Sequence, residues 1–155
     1  MNTTRKPACL GTLIACLVVP NLGVAADNCS GHYINVGQSA ESTEQSSGNS
    51  LAMFRVISVN ITDDKNSPLN LSVGDCVGTA LTAGAKTDAS GRCTRKDKDG
   101  DLYSYEWAIP AGAEKGTWKF VGGTGKYANA KWSGWWQQTM ADGKAAGGIW
   151  GGNCR

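Results

Sequence analysis

The stretch GTWKFVGGTGKYANAKWSGWW, Gly116 to Trp136, sets a glycine-rich run between two aromatic segments. A phosphate-binding loop would need G-x-x-x-x-G-K-[ST], so that backbone N–H groups wrap phosphate oxygens and a short hydroxyl reaches a magnesium ion. Here Phe120 stands where the first glycine is required, and Tyr127 follows Lys126 where Ser or Thr is required. Both defining positions fail, which argues against nucleotide binding. The remaining role for Gly122-Gly123-Thr124-Gly125 is architectural: a tight turn between strands, with glycine adopting backbone angles that other residues resist.

Working outward, the residues on either side read as strands. Leu102–Ile109 alternates with a period of two, so Tyr103, Tyr105, Trp107 and Ile109 share one face, and Leu102, Ser104, Glu106 and Ala108 share the other. Just before it, Asp97-Lys98-Asp99-Gly100-Asp101 carries the Asp-Gly chemistry of a tight hairpin. Further short runs that read as strands occur at 51–59, 75–82, 116–121, 127–138 and 144–150, and Arg92 to Lys96 flanks the hairpin tip on its other side. Polar residues 35–50 predict a mobile loop, and residues 83–91 a small-residue loop. Of the 21 glycines, 19 lie beyond Ala26, which disfavours long helices. The expected fold is all-β: seven or eight short strands over residues 27–155, forming a closed barrel or a sandwich.

Residues 1–26 read as a cleaved signal peptide. Arg5 and Lys6 precede an apolar run from Cys9 to Val19, and Val24-Ala25-Ala26 supplies the small residues of a cleavage site. That run is shorter than the roughly 20 residues a spanning helix needs. Secretion or periplasmic residence is expected. The alternative is a lipoprotein anchored at Cys16, since Leu13-Ile14-Ala15-Cys16 has the form of a lipobox. Removing Arg5 and Lys6 from the 15 basic residues leaves 13 against 13 acidic ones, a balance that offers nucleic acid no clustered positive charge. Four cysteines remain: Cys29, Cys76, Cys93 and Cys154. An even number in an exported domain implies two disulfides in one of three connectivities. A local Cys76–Cys93 bond with a terminal Cys29–Cys154 clasp is the favoured pairing. A zinc site is disfavoured, because there is no C-x-x-C pair and His32 is the sole histidine.

Candidate chemistry is sparse. The Asp97–Asp101 run places its glycine too early for a calcium-binding EF-hand loop, and its twelfth position is Ala108. His32 has no thiol nucleophile to activate, and G-x-S-x-G is absent. No cofactor and no metal are implied. Glu106 is a weak catalytic candidate: inside a barrel its carboxylate could transfer protons, whereas on the outer face it is simply solvated. Tyr103, Tyr105, Trp107, Trp118 and Trp132 are candidate ligand-binding residues, because aromatic faces fill a barrel core or line a pocket within it. All six tryptophans fall between Trp107 and Trp150, interleaved with glycines that let broad rings lie over bare backbone. Asn28, Asn60 and Asn70 form N-x-[ST] sequons, relevant only to a glycosylating host.

The run Gly116-Thr117-Trp118-Lys119-Phe120, followed by Gly122-Gly123-Thr124-Gly125-Lys126-Tyr127, resembles the allene oxide cyclase/dirigent-like β-barrel superfamily. Its small secreted bacterial members carry G-T-W-x-[FI] and then G-G-T-G-K-[YF], and the Asp97–Asp101 hairpin looks like their companion motif. The resemblance covers Arg92 to Gly134, under a third of the chain. It implies a calycin-like, up-and-down barrel whose interior holds an apolar substrate, as in plant relatives that steer a cyclisation or coupling. The usual Gly-Ile-x-Gly pattern is replaced by Ala128-Asn129-Ala130-Lys131-Trp132, and no catalytic residue is carried over. The expected function is binding of a small apolar or aromatic molecule. An isomerase or cyclase of the same fold, or a packed barrel acting as a structural or interaction protein, are the alternatives. A homo-oligomer is compatible with all three.

Overall fold

The alternation in Leu102–Ile109 predicts one strand, and the strand has those bounds. The computed structural model describes residues 28–155; the expected leader and Cys16 lie outside the described residues. The strands are β1 (Cys29–Ser46), β2 (Asn49–Thr62), β3 (Val73–Ala83), β4 (Lys86–Lys96), β5 (Leu102–Ile109), β6 (Gly116–Gly123), β7 (Ser133–Asp142) and β8 (Ala145–Asn153). Each pairs antiparallel with the next, and β1 pairs with β8, so the sheet closes into an up-and-down barrel. Closure removes the free edges that would otherwise invite pairing with other chains.

The period of two sorts the wall. On β5, Tyr103 is 1% exposed, while Glu106, one position out of phase with the row of Tyr103, Tyr105 and Trp107, faces solvent beside Arg92. Broad rings fit inside because glycines on neighbouring strands leave room. A Cβ on Gly152 would lie 2.5 Å from Trp118 Cζ2, and one on Gly134 would lie 2.7 Å from its Cε2. Trp107 lies in the same way over Gly78 and Gly91.

Both favoured disulfides are present. Cys76 and Cys93 face each other across β3 and β4, with Cα atoms 4.0 Å apart. Cys29–Cys154 joins the two ends of the barrel sequence, Cα to Cα 5.9 Å, and packs against the aromatic core.

One end of the barrel is plugged by the two motifs that flank β5 and β6. Asp97 Oδ1 accepts from the backbone N–H groups of Asp99 (2.9 Å) and Asp101 (3.0 Å), shaping the hairpin tip. Its Oδ2 accepts from the Tyr127 hydroxyl (2.9 Å) and pairs with Lys126 Nζ (2.8 Å). Lys126 also reaches Asp99 (2.6 Å) and Asp101 (3.8 Å), so an ammonium occupies the centre of the acidic tip. Gly125 has φ +49°, and a Cβ there would fall 2.1 Å from Asp101 Oδ1. Only glycine fits. The fully buried Tyr127 and the adjacent Leu69 then cover the floor, with the Tyr127 hydroxyl also bonded to the Pro68 carbonyl (3.0 Å).

Three expectations about local structure are corrected. Residues 35–50 are not a loop: they form the outer half of a hairpin, with Ala40 opposite Phe54 and Thr43 opposite Leu51. Residues 38–46 are exposed, so the ribbon rests on backbone pairing rather than on an apolar face, which is why its composition misleads. Most of residues 83–91 belong to β4, and Gly84, at φ +60°, supplies the turn. The aromatic run 127–138 does not start as a strand. Gly122 and Gly123 end β6, a 3-10 turn covers Gly125–Tyr127, and β7 begins only at Ser133.

Candidate functional site

The inward face of the wall encloses a cavity of about 550 Å³. Its walls are rich in aromatic residues, Tyr33, Tyr105, Trp107, Trp118, Trp136 and Trp150 among them. The lining is graded in exposure. Leu69, Tyr103 and Phe120 are buried at the plugged end, whereas Thr87, Gln138 and Lys144 are exposed at the other, which is the mouth. A volume of this size falls within the roughly 300–1,000 Å³ range of small-molecule pockets.

The rings are ordered against one another. Tyr103 stacks on Phe120 with centroids 5.1 Å apart and planes 13° from parallel, and Trp118 meets Trp150 edge-on at 6.1 Å. Contacts of this kind hold aromatic side chains beyond what area burial alone provides. A ligand therefore meets fixed faces.

Polar groups gather near the floor. The Tyr103 hydroxyl accepts from Asn60 Nδ2 (3.2 Å) and bonds Ser72, whose own hydroxyl donates to the Leu69 carbonyl (2.8 Å). Burial raises the Tyr103 phenol above its ordinary value and pushes Tyr33 up to about 12, with Tyr105 adding to the latter. Both remain neutral donors at ordinary pH.

Arg95 is the exception among these neutral groups. It is 2% exposed and follows Cys93 in phase on β4, so it faces inward. Nε donates to the Tyr105 hydroxyl (3.0 Å) and Nη2 to Ser58 Oγ (2.6 Å); Ser58 in turn donates to Asn35 Oδ1. Nη1 is buried with no acceptor. Among the described residues, no aspartate or glutamate lines the cavity and Arg95 has no ion pair. A guanidinium stays charged in proteins, and a buried charge without a counter-ion is unfavourable by several kcal/mol.

The residues singled out in the sequence divide cleanly. Tyr103, Tyr105, Trp107 and Trp118 all line the cavity. Trp132 does not; it packs against Phe120 (5.0 Å) and Tyr127 (5.9 Å) beside the floor. Glu106 lies on the outer face, paired with Arg92 at 2.6 Å, and borders an open depression of about 900 Å³ on the barrel's exterior. The wall separates its carboxylate from the interior. His32 is exposed, 3.9 Å from Asp63. Arg95 and Ser58 escaped sequence reasoning, although the alternation that buries Cys93 also points Arg95 inward.

The chain matches no protein-family model and no curated protein.

Proposed function

We propose that this protein is an exported barrel that binds a small apolar or aromatic molecule in its interior. The aromatic-lined 550 Å³ cavity, plugged at one end and open at the other, carries the reading. Burial against Trp and Tyr faces supplies affinity, and the few polar groups near the floor orient the ligand. Export agrees with the signal-like leader and with two disulfides, which persist in oxidising compartments. The motifs interlocked at the floor are consistent with membership of the allene oxide cyclase/dirigent-like superfamily, a relationship proposed on those residues alone.

The cavity-lining tryptophans report on occupancy. Titrating a panel of apolar and aromatic compounds should quench intrinsic tryptophan fluorescence with saturation, and Trp107→Leu should reduce the signal change. A flat response across the whole panel would remove the proposed role.

A further inference from the structure

We infer that the ligand carries a carboxylate that pairs with Arg95 near the cavity floor, so that the molecule bound is a small organic monoanion with an apolar or aromatic body. The inference rests on the interior being the binding site, and it adds the chemical class of the occupant.

The distribution of charge carries it. Arg55 is paired with Asp75 at 2.7 Å, Arg92 with Glu106 at 2.6 Å, and Lys126 with Asp97 and Asp99 at 2.8 and 2.6 Å. Those three cations are more exposed than Arg95 and so need partners less. Arg95 is buried, yet its Nε and Nη2 meet only the neutral hydroxyls of Tyr105 and Ser58. Those two bonds fix the guanidinium plane, and among the described residues Nη1 has no partner and no carboxylate lines the cavity. The Tyr105 hydroxyl, having accepted from Nε, retains its own proton to donate, and no acceptor for it is present among the described residues.

An anion entering from the mouth would meet a fixed cationic donor beside a phenol, with aromatic walls along its remaining length. Arginine suits this role because its planar fork is held before the ligand arrives. A single interior cation matches one negative charge, and among the described residues the other cation of the lining is Lys144, at the rim. A multiply charged phosphate fits this site poorly.

The test is calorimetric titration of the oxidised protein with 2-naphthoate and with its neutral isostere 2-naphthamide. A hydrogen bond to a charged partner is stronger than a neutral one by enough to predict an acid preference of about tenfold or more. In Arg95→Met that preference should vanish while the amide binds within about threefold of its original affinity. Equal affinity for acid and amide in the unmodified protein overturns the inference and leaves the cavity role intact. An acid preference that persists in Arg95→Met assigns the anion to Lys144 and also overturns it. If neither compound binds, the inference falls, and a flat fluorescence panel then shows whether the cavity role falls with it. Should Arg95→Met fail to fold, Lys144→Met decides: an acid preference that it retains supports Arg95, and one that it abolishes overturns the inference.

Discussion

Lys126 and Arg95 are both drawn against the inner end of the same barrel, and their surroundings are opposite. Lys126 sits among Asp97, Asp99 and Asp101, with two of them within 2.8 Å. Arg95 is more deeply buried, has two neutral acceptors, and keeps one nitrogen unpartnered. A cation that serves only the fold is supplied with its counter-ions by the chain. A cation left without one in a lined cavity is positioned for a partner that comes from outside. The barrel thus uses the same physics for different ends: satisfied ion pairs for stability beneath the floor, and an unsatisfied donor for binding in the cavity just above it.

The largest expected effect falls on the plugged end as a whole. Replacing Cys29 and Cys154 by serine releases a constraint between residues 125 apart. In the chain-entropy model that should lower stability by about 4–5 kcal/mol, read as a shift in the denaturant midpoint. Next comes Asp97→Ala. It strips two backbone N–H groups, the Tyr127 hydroxyl and Lys126 of a shared acceptor, and should cost about 3 kcal/mol in chemical denaturation.

The same carboxylate gives a pH signature. Burial alone would raise Asp97, but hydrogen bonds from Lys126, Tyr127 and the backbone of Asp99 and Asp101 outweigh it and hold the group down from 3.8 to about 2. A carboxylate depressed in the folded state adds stability that is fully present above its unfolded value and is lost as pH falls through the folded one. Stability should therefore decline between about pH 4 and pH 2, and Asp97→Ala should flatten the slope in that window.

Arg95→Met sharpens the contrast, because its expected sign is reversed. Without ligand, removing a buried charge that has no counter-ion should leave thermal stability unchanged or raise it by up to about 2 kcal/mol, despite two lost hydrogen bonds and a lost contact with the Tyr105 ring at 5.5 Å. A loss comparable to that of Asp97→Ala would mean that Arg95 is structural. The smallest effect is predicted for Glu106→Gln. Its ion pair is exposed on the outer wall, so stability should move by less than about 0.5 kcal/mol, and interior ligand affinity should not change.

The fold was legible wherever side chains alternate sharply. Leu102–Ile109 could be bounded from its aromatic row, and the cysteine count together with chain position suggested both disulfides. The ribbon at 35–50 and the start of β4 were not legible, because their pairing is backbone to backbone and leaves little apolar pattern in the sequence. The cavity's aromatic wall was readable at Tyr103, Tyr105, Trp107 and Trp118, whereas Trp132 serves the floor, since the 3-10 turn displaces it from the following strand. Arg95 was hidden by its neighbours: Arg92-Cys93-Thr94-Arg95-Lys96 carries three basic residues and no apolar alternation to mark an inward face. The cue lay in phase, for a cysteine buried on one face brings the residue two positions on to the same side.

A crystal structure of the oxidised protein soaked with 2-naphthoate tests the central claim most directly. The naphthyl ring is expected between Trp107 and Trp118 inside the barrel, with a carboxylate oxygen within hydrogen-bond distance of Arg95 Nη1. An interior without ligand, or a naphthoate held only in the outer depression beside Glu106, would contradict it.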